Sequence, residues 1–203
     1  LATGDFNHDR KTDYITANFD SNTVSVVLGR GKGKFLDIGA GLPIATDHPN
    51  QIISADFNGD GLPDLALVDT GVNKIGQAVE ILLGTNHGGF GPAKAFPTGT
   101  QPEGLTATDF NHDGHLDLVV TNFGTLPTDR GGVSLLVDNG DGSFQAPANF
   151  AAGDFPVGIA SGDFNGDGNP DVVVADFGTS VGVAAVTLLL GNGNNGFAPA
   201  QNV

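Results

Sequence analysis

Short apolar runs recur in one order along the chain, each bounded by polar turn residues. One set comprises Tyr14 to Ala17, Leu65 to Val68, Leu118 to Thr121 and Val172 to Ala175, and a second comprises Val24 to Leu28, Val79 to Leu83, Val133 to Val137 and Ala185 to Leu190. Before the first set lie Leu1 to Gly4, Ile52 to Ala55, Leu105 to Thr108 and Ile159 to Gly162. After the second comes a glycine with Phe35, Phe90, Phe144 or Phe197. Runs this short, rich in β-branched residues and broken by glycine, predict strands and no helix. Each unit therefore reads as four strands joined by turns, a small antiparallel sheet. Runs such as Val172-Val173-Val174 and Leu188-Leu189-Leu190 lack strict alternation, so both faces of each sheet are expected to be buried by stacked neighbours.

Between the first two runs of every unit lies the same polar loop, Asp5 to Asp13, Asp56 to Asp64, Asp109 to Asp117 and Asp163 to Asp171, with starts 51, 53 and 54 residues apart. The expected architecture is an all-β β-propeller of four four-stranded antiparallel blades, residues 1–47, 48–100, 101–154 and 155–203, forming one propeller domain. Such a set is either a closed four-bladed ring or part of a larger propeller; a β-solenoid is the alternative.

The loops carry the candidate chemistry. Positions 1, 3, 5 and 9 are oxygen donors in every copy: Asp5, Asn7, Asp9 and Asp13; Asp56, Asn58, Asp60 and Asp64; Asp109, Asn111, Asp113 and Asp117; Asp163, Asn165, Asp167 and Asp171. Position 7 (Lys11, Leu62, His115, Asn169) offers a backbone carbonyl. Six to eight oxygens suit calcium, and alternate residues of a tight loop aim such donors inward. Gly61, Gly114 and Gly168 at position 6 permit a left-handed turn, whereas the first copy has Arg10 there beside Lys11, so its site is expected to be the weakest. The plainer alternative is a metal-free Asx-type turn. Three carboxylates within nine residues repel unless a cation joins them, and their repetition favours about one Ca2+ per repeat. EF-hands are excluded, because position 12 is Thr16, Leu67, Val120 or Val174, inside a strand.

Composition sharpens this picture. Acidic residues number 23 against eight Lys and Arg, a formal charge of −15, which argues against nucleic acid or an anionic membrane as partner. All but Glu80 and Glu103 are aspartates, the shorter carboxylate that suits turns and metal loops. No apolar run approaches the length of a membrane span, and no leader-like opening is present, so the chain reads as soluble without membrane insertion.

Asp-Phe-Asn-Gly-Asp-Gly-Asn-Pro-Asp at 163–171, the following Val-Val-Val-Ala-Asp-Phe-Gly, and Gly196-Phe197-Ala198-Pro199 closely resemble the FG-GAP or VCBS repeats of the integrin α-subunit type. The resemblance spans essentially the whole chain. It implies a propeller with calcium in the turn between the first and second strands of each blade, and an extracellular, cell-surface or periplasmic setting. Propellers of this family commonly close with seven blades, and Leu1 starts inside a strand, so the chain is expected to be cut or processed from something longer.

The rim opposite the aspartate loops carries turns of varied length, and Asn73, Lys74, Asp129 and Arg130 are the ligand-binding candidates there. Phe19, Phe123 and Phe177, at equivalent positions, are expected to pack between blades. No nucleophile or acid–base motif emerges, so the expected protein is not an enzyme. The reading is a calcium-binding adhesion module for a protein or glycan. Alternatives are an accessory domain of a secreted polysaccharide-acting enzyme, or a structural subunit self-associating through open blade edges.

Overall fold

A computed structural model describes residues 1–37, 48–71, 77–86, 89–125, 128–178 and 185–202. It contains four antiparallel sheets, each of four strands in chain order. Sheet 1 is β1 (Ala2–Gly4), β2 (Asp13–Asn18), β3 (Thr23–Gly31) and β4 (Lys34–Asp37); sheet 2 is β5 (Pro49–Ala55), β6 (Asp64–Asp69), β7 (Ala78–Leu82) and β8 (Lys94–Pro97). Sheet 3 is β9 (Pro102–Thr108), β10 (Asp117–Asn122), β11 (Gly132–Leu136) and β12 (Ala148–Phe150); sheet 4 is β13 (Pro156–Gly162), β14 (Asp171–Asp176), β15 (Ala185–Leu189) and β16 (Gln201–Asn202). Among the described residues the one departure from an all-strand reading is a 3-10 turn, Phe19–Ser21, which joins β2 to β3.

The fourth strands begin later than the phenylalanine marker predicts in three sheets. Phe90, Phe144 and Phe197 each form a single bridge, to Gly84, Asp138 and Gly191, and the ladder resumes only at β8, β12 and β16. Pro92, Pro147 and Pro199 intervene, and proline has no N–H to continue a ladder. In sheet 1 the three residues after Phe35 include no proline, so β4 runs through it.

Successive sheets stack face to face, with the first strands β5, β9 and β13 side by side. That arrangement fits a propeller, with first strands innermost. Three apolar clusters fill the three spaces. Ile15, Val24 and Val26 meet Ile52, Leu65 and Leu67 between sheets 1 and 2. Ala66, Val79 and Ile81 meet Leu105, Leu118 and Leu136 between sheets 2 and 3, and Val119, Val133 and Leu135 meet Val172, Val174 and Leu189 between sheets 3 and 4. Burial therefore differs by sheet. Every residue of β6, β7, β10 and β11 is buried, as the non-alternating runs predict. In β2 and β14 burial falls on one face, and Val186 on β15 is 42% exposed while its counterparts Val24, Val79 and Val133 are 0% exposed. The expectation that every sheet buries both faces thus fails for sheets 1 and 4, whose outer faces have no stacked neighbour among the described residues.

Candidate functional site

All four aspartate loops fold alike, because their side chains replace backbone partners the tight turn lacks. The first aspartate accepts the N–H of the sixth residue through Oδ2: Arg10 at 2.7 Å, Gly61 at 2.8 Å, Gly114 at 2.9 Å and Gly168 at 3.0 Å. The asparagine Oδ1 accepts the N–H of the fifth residue, and the fifth residue's Oδ1 accepts that of the seventh.

The ninth-position aspartates do more than the ligand role the sequence assigns them. Asp13, Asp64, Asp117 and Asp171 are fully buried and open the second strand of each sheet. Oδ2 accepts the N–H of the loop phenylalanine (Phe6, Phe57, Phe110, Phe164) at 2.8 to 3.1 Å. Oδ1 accepts the N–H of Gly29, Gly84, Asp138 or Gly191 at the end of the third run, at 2.7 to 3.0 Å. Each such carboxylate pins the loop to two strands.

Left-handed backbone occurs at position 6, as expected, and also at position 4, which the sequence reading missed. Position 6 has φ of 63° at Arg10, 81° at Gly61, 91° at Gly114 and 88° at Gly168; position 4 has 58° at His8, 73° at Gly59, 62° at His112 and 77° at Gly166. Two non-glycine residues in the first loop carry the strain of this region, roughly 1 kcal/mol apiece. Arg10→Gly is therefore expected to stabilise the protein by about 1 kcal/mol, read from the urea midpoint at unchanged slope. A lower midpoint would mean that Arg10 contributes contacts outweighing its backbone strain.

The loop residues fit a hard cation by donor type, offering three carboxylates and an amide oxygen within nine residues. Electrostatics point the same way. Burial pushes the Asp117 carboxyl up to about 6 against the pull of its two backbone donors, and the charges of Asp113 and Asp109 add to the rise. Asp64 is raised by the same combination, with Asp60 and Asp56 as the neighbouring charges. In the first loop Lys11 Nζ takes an Asp9 oxygen at 2.8 Å and holds that carboxyl below its usual range. Among the described residues, no three His, Cys, Asp or Glu side chains converge on a common centre, so the loops satisfy themselves by hydrogen bonding as they stand.

A different site lies at the opposite rim. Phe19, Phe123 and Phe177 each follow the last residue of a second strand, and with the equivalent Thr70 they line a cavity of about 860 Å³. Val157 and Thr100 extend the wall, while Gln77, Gln101 and Glu103 add polar groups. All four sheets contribute to it. Glu103 is pushed above the ordinary carboxylate range by burial, against a hydrogen bond from Asn50 Nδ2. The expectation that the three phenylalanines pack between blades holds for two of them. Phe19, 43% exposed, lies 4.7 Å from His48 just ahead of β5, and half-buried Phe123 lies 5.1 Å from Phe155 just ahead of β13 and 6.2 Å from Phe177. Phe177 is 72% exposed, because among the described residues no following sheet stacks on sheet 4.

Rigid backbone presents these rings. Gln101 and Phe155 adopt left-handed φ of 52° and 58° immediately before Pro102 and Pro156. Their carbonyls accept the N–H of Phe123 at 2.7 Å and of Phe177 at 2.9 Å. Non-glycine residues in that region persist where the surroundings fix them, and such strain clusters at binding sites.

Of the predicted rim residues, the two among the described residues lie elsewhere. Arg130 pairs with Asp154 at 2.8 Å, and Asp129 accepts the Gly131 N–H while lining a separate cavity of about 320 Å³ with Asn149 and Phe150. Asn73 and Lys74 fall outside the described residues.

Stacked four-stranded antiparallel sheets, each carrying an aspartate loop on one rim and converging on a cavity at the other, define a repeat protein arranged as propeller blades are. The chain belongs to the FG-GAP-like repeat family, whose model matches residues 5–67, 56–120 and 123–174. No curated protein matches it. Among solved structures it is similar to an Agrocybe aegerita lectin, described for its specific recognition of non-reducing terminal N-acetylglucosamine, at 20% identity and a TM-score of 0.61. The match covers 98% of this chain and 50% of the lectin chain, so this chain spans about half the lectin's length. No helix among the described residues is long and apolar enough to cross a membrane.

Proposed function

We propose that the chain is a non-catalytic, extracellular glycan-binding propeller module, its ligand seated in the phenylalanine-lined rim cavity and its blades stiffened by calcium. The observation that carries this reading is the convergence of Phe19, Phe123 and Phe177 with Gln77, Gln101 and Glu103 on one cavity. A sugar presents C–H faces that stack on aromatic rings and hydroxyls that need fixed donors and acceptors, and this lining supplies both. Glu103 is the one carboxyl lining the cavity among the described residues, whereas glycoside hydrolysis ordinarily takes a flanking pair. The lectin likeness supports the fold on which such a site would sit.

In each loop the first, third, fifth and ninth side chains with the seventh carbonyl would hold the calcium ion. Its charge would offset the burial, and the lesser repulsion from neighbouring carboxylates, that raise Asp64 and Asp117.

An immobilised-glycan screen with the parent and Phe177→Ala tests the site. The parent is expected to bind a subset of glycans, and Phe177→Ala to weaken that binding by roughly tenfold, the value of one lost stacking ring. Because Phe177 is 72% exposed, its removal leaves the fold intact. Full binding by the variant, or none by the parent, would remove the cavity from the reading.

A further inference from the structure

One aromatic contact recurs at every sheet interface. The second residue of an aspartate loop packs on the phenylalanine that follows the third run of the next sheet: Phe6 on Phe90 at 5.8 Å, Phe57 on Phe144 at 6.0 Å and Phe110 on Phe197 at 5.6 Å. Two equivalent residues are left over. Phe164, in the sheet 4 loop, is 53% exposed, and Phe35, in sheet 1, is 54% exposed, whereas Phe6, Phe57 and Phe110 are at most 4% exposed. The apolar surface around them is unmatched in the same way, with Val186 exposed on sheet 4 and Leu1 on sheet 1. Each open face is one half of an interface the chain already builds three times.

Charge follows the same division. Five of the eight Lys and Arg, namely Arg10, Lys11, Arg30, Lys32 and Lys34, lie in sheet 1, and residues 131–203 contain none. Position makes this asymmetry meaningful. At the inner interfaces the turn between third and fourth runs reaches over the aspartate loop of the preceding sheet. A β-carbon on Gly142 would lie 3.6 Å from Asn58, and one on Gly193 would lie 3.6 Å from His112. His112 Nε2 and Asn169 Oδ1, 3.2 Å apart, also join the loops of sheets 3 and 4. In sheet 1 the corresponding turn is Arg30-Gly31-Lys32-Gly33-Lys34, exposed throughout. The loop it would cover on sheet 4 carries Asp163, Asp167 and Asp171, with no Lys or Arg in its repeat. These three charges stay net negative after binding one divalent ion.

We propose that the open face of sheet 4 docks on the open face of sheet 1 of a second copy, head to tail, pairing Phe164 with Phe35 and laying the Arg30–Lys34 turn over the Asp163–Asp171 loop. The contact is heterologous, so a closed pair covers all four open faces, and a geometry that does not close extends into larger rings or filaments. Exposed apolar faces of this kind mark interaction sites, and opposite charge fixes which face meets which.

Light scattering over a concentration series tests this on the chain as it stands. The parent is expected at twice 20.6 kDa or more. Phe35→Asp and Phe164→Asp are each expected to remain at 20.6 kDa, and since both rings are already exposed, both variants fold. Mixing the two variants is expected to restore a dimer, because one partner keeps an intact sheet 4 face and the other an intact sheet 1 face. Lys32→Glu with Lys34→Glu is expected to weaken association by about tenfold or more, and salt to weaken the parent in the same sense. A parent that stays monomeric throughout overturns the proposal and leaves the faces to repeats carried on a longer chain. A dimer indifferent to both phenylalanine changes, or a variant mixture that stays monomeric, overturns the head-to-tail pairing.

Discussion

On removal of divalent ions the melting temperature is expected to fall by on the order of 10 °C and to return when calcium is restored. Four loops carry the same donors, and at a free concentration ten times the dissociation constant each would contribute roughly 1.4 kcal/mol, together roughly 5 to 6 kcal/mol. The first loop is expected to contribute least. Its Asp9 already holds Lys11 at 2.8 Å, and His8 and Arg10 both occupy left-handed backbone. Equal melting in calcium and in chelator would defeat the calcium reading. The loops would then stand as turns held by their own side chains, which the bonds from Asp5, Asn7 and Asp9 to the loop backbone permit.

Strands and loops were legible in the sequence because each is specified locally. Val79 to Leu83 is too short and too branched for a helix, and Asp56 to Asp64 alternates donors at the spacing of a tight loop. What was not legible depends on neighbours. Val186 and Val79 look alike as letters, yet one is 42% exposed and the other buried, because a second sheet stacks on only one of them. Phe177 likewise looks the same as Phe19 and Phe123, yet His48 and Phe155 of the next sheet pack on those two, and no following sheet among the described residues packs on Phe177. The ninth aspartates were read as ligands from composition. Their grip on Gly29, Gly84, Asp138 and Gly191 spans from 16 to 21 residues and is invisible without the sheet register.

The stability of the protein is expected to fall as pH rises from 5 to 8, and Glu80→Gln is expected to remove the largest single part of that fall. Each sheet carries a polar pair across its second and third strands. Asn18 donates to Ser25 at 2.8 Å, Asn122 to Ser134 at 2.8 Å, and Thr187 to Asp176 at 2.6 Å. At the corresponding place in sheet 2 stand Asp69 and Glu80, 3% and 6% exposed, two carboxyls where the other sheets set a side-chain donor against an acceptor, and Asp69 accepts the Gly71 N–H at 2.9 Å. Burial, reinforced by the Asp69 charge, pushes the Glu80 carboxyl up to about 7, and its Oε2 lacks a hydrogen-bond partner. The folded state thus keeps a proton that the unfolded chain releases near pH 4.5. This stabilising contribution is fully present below that value and is lost as pH climbs through about 7, a change of up to about 3 kcal/mol at 1.36 kcal/mol per unit. Glutamine supplies a permanent N–H donor of the same shape, so the variant should exceed the parent in melting temperature at pH 8 and lose the advantage by pH 5. Subtracting the two curves at fixed calcium cancels the contributions of Asp117 and Asp64. A difference between variant and parent that does not change across this range would show that Glu80 holds no proton in the folded state.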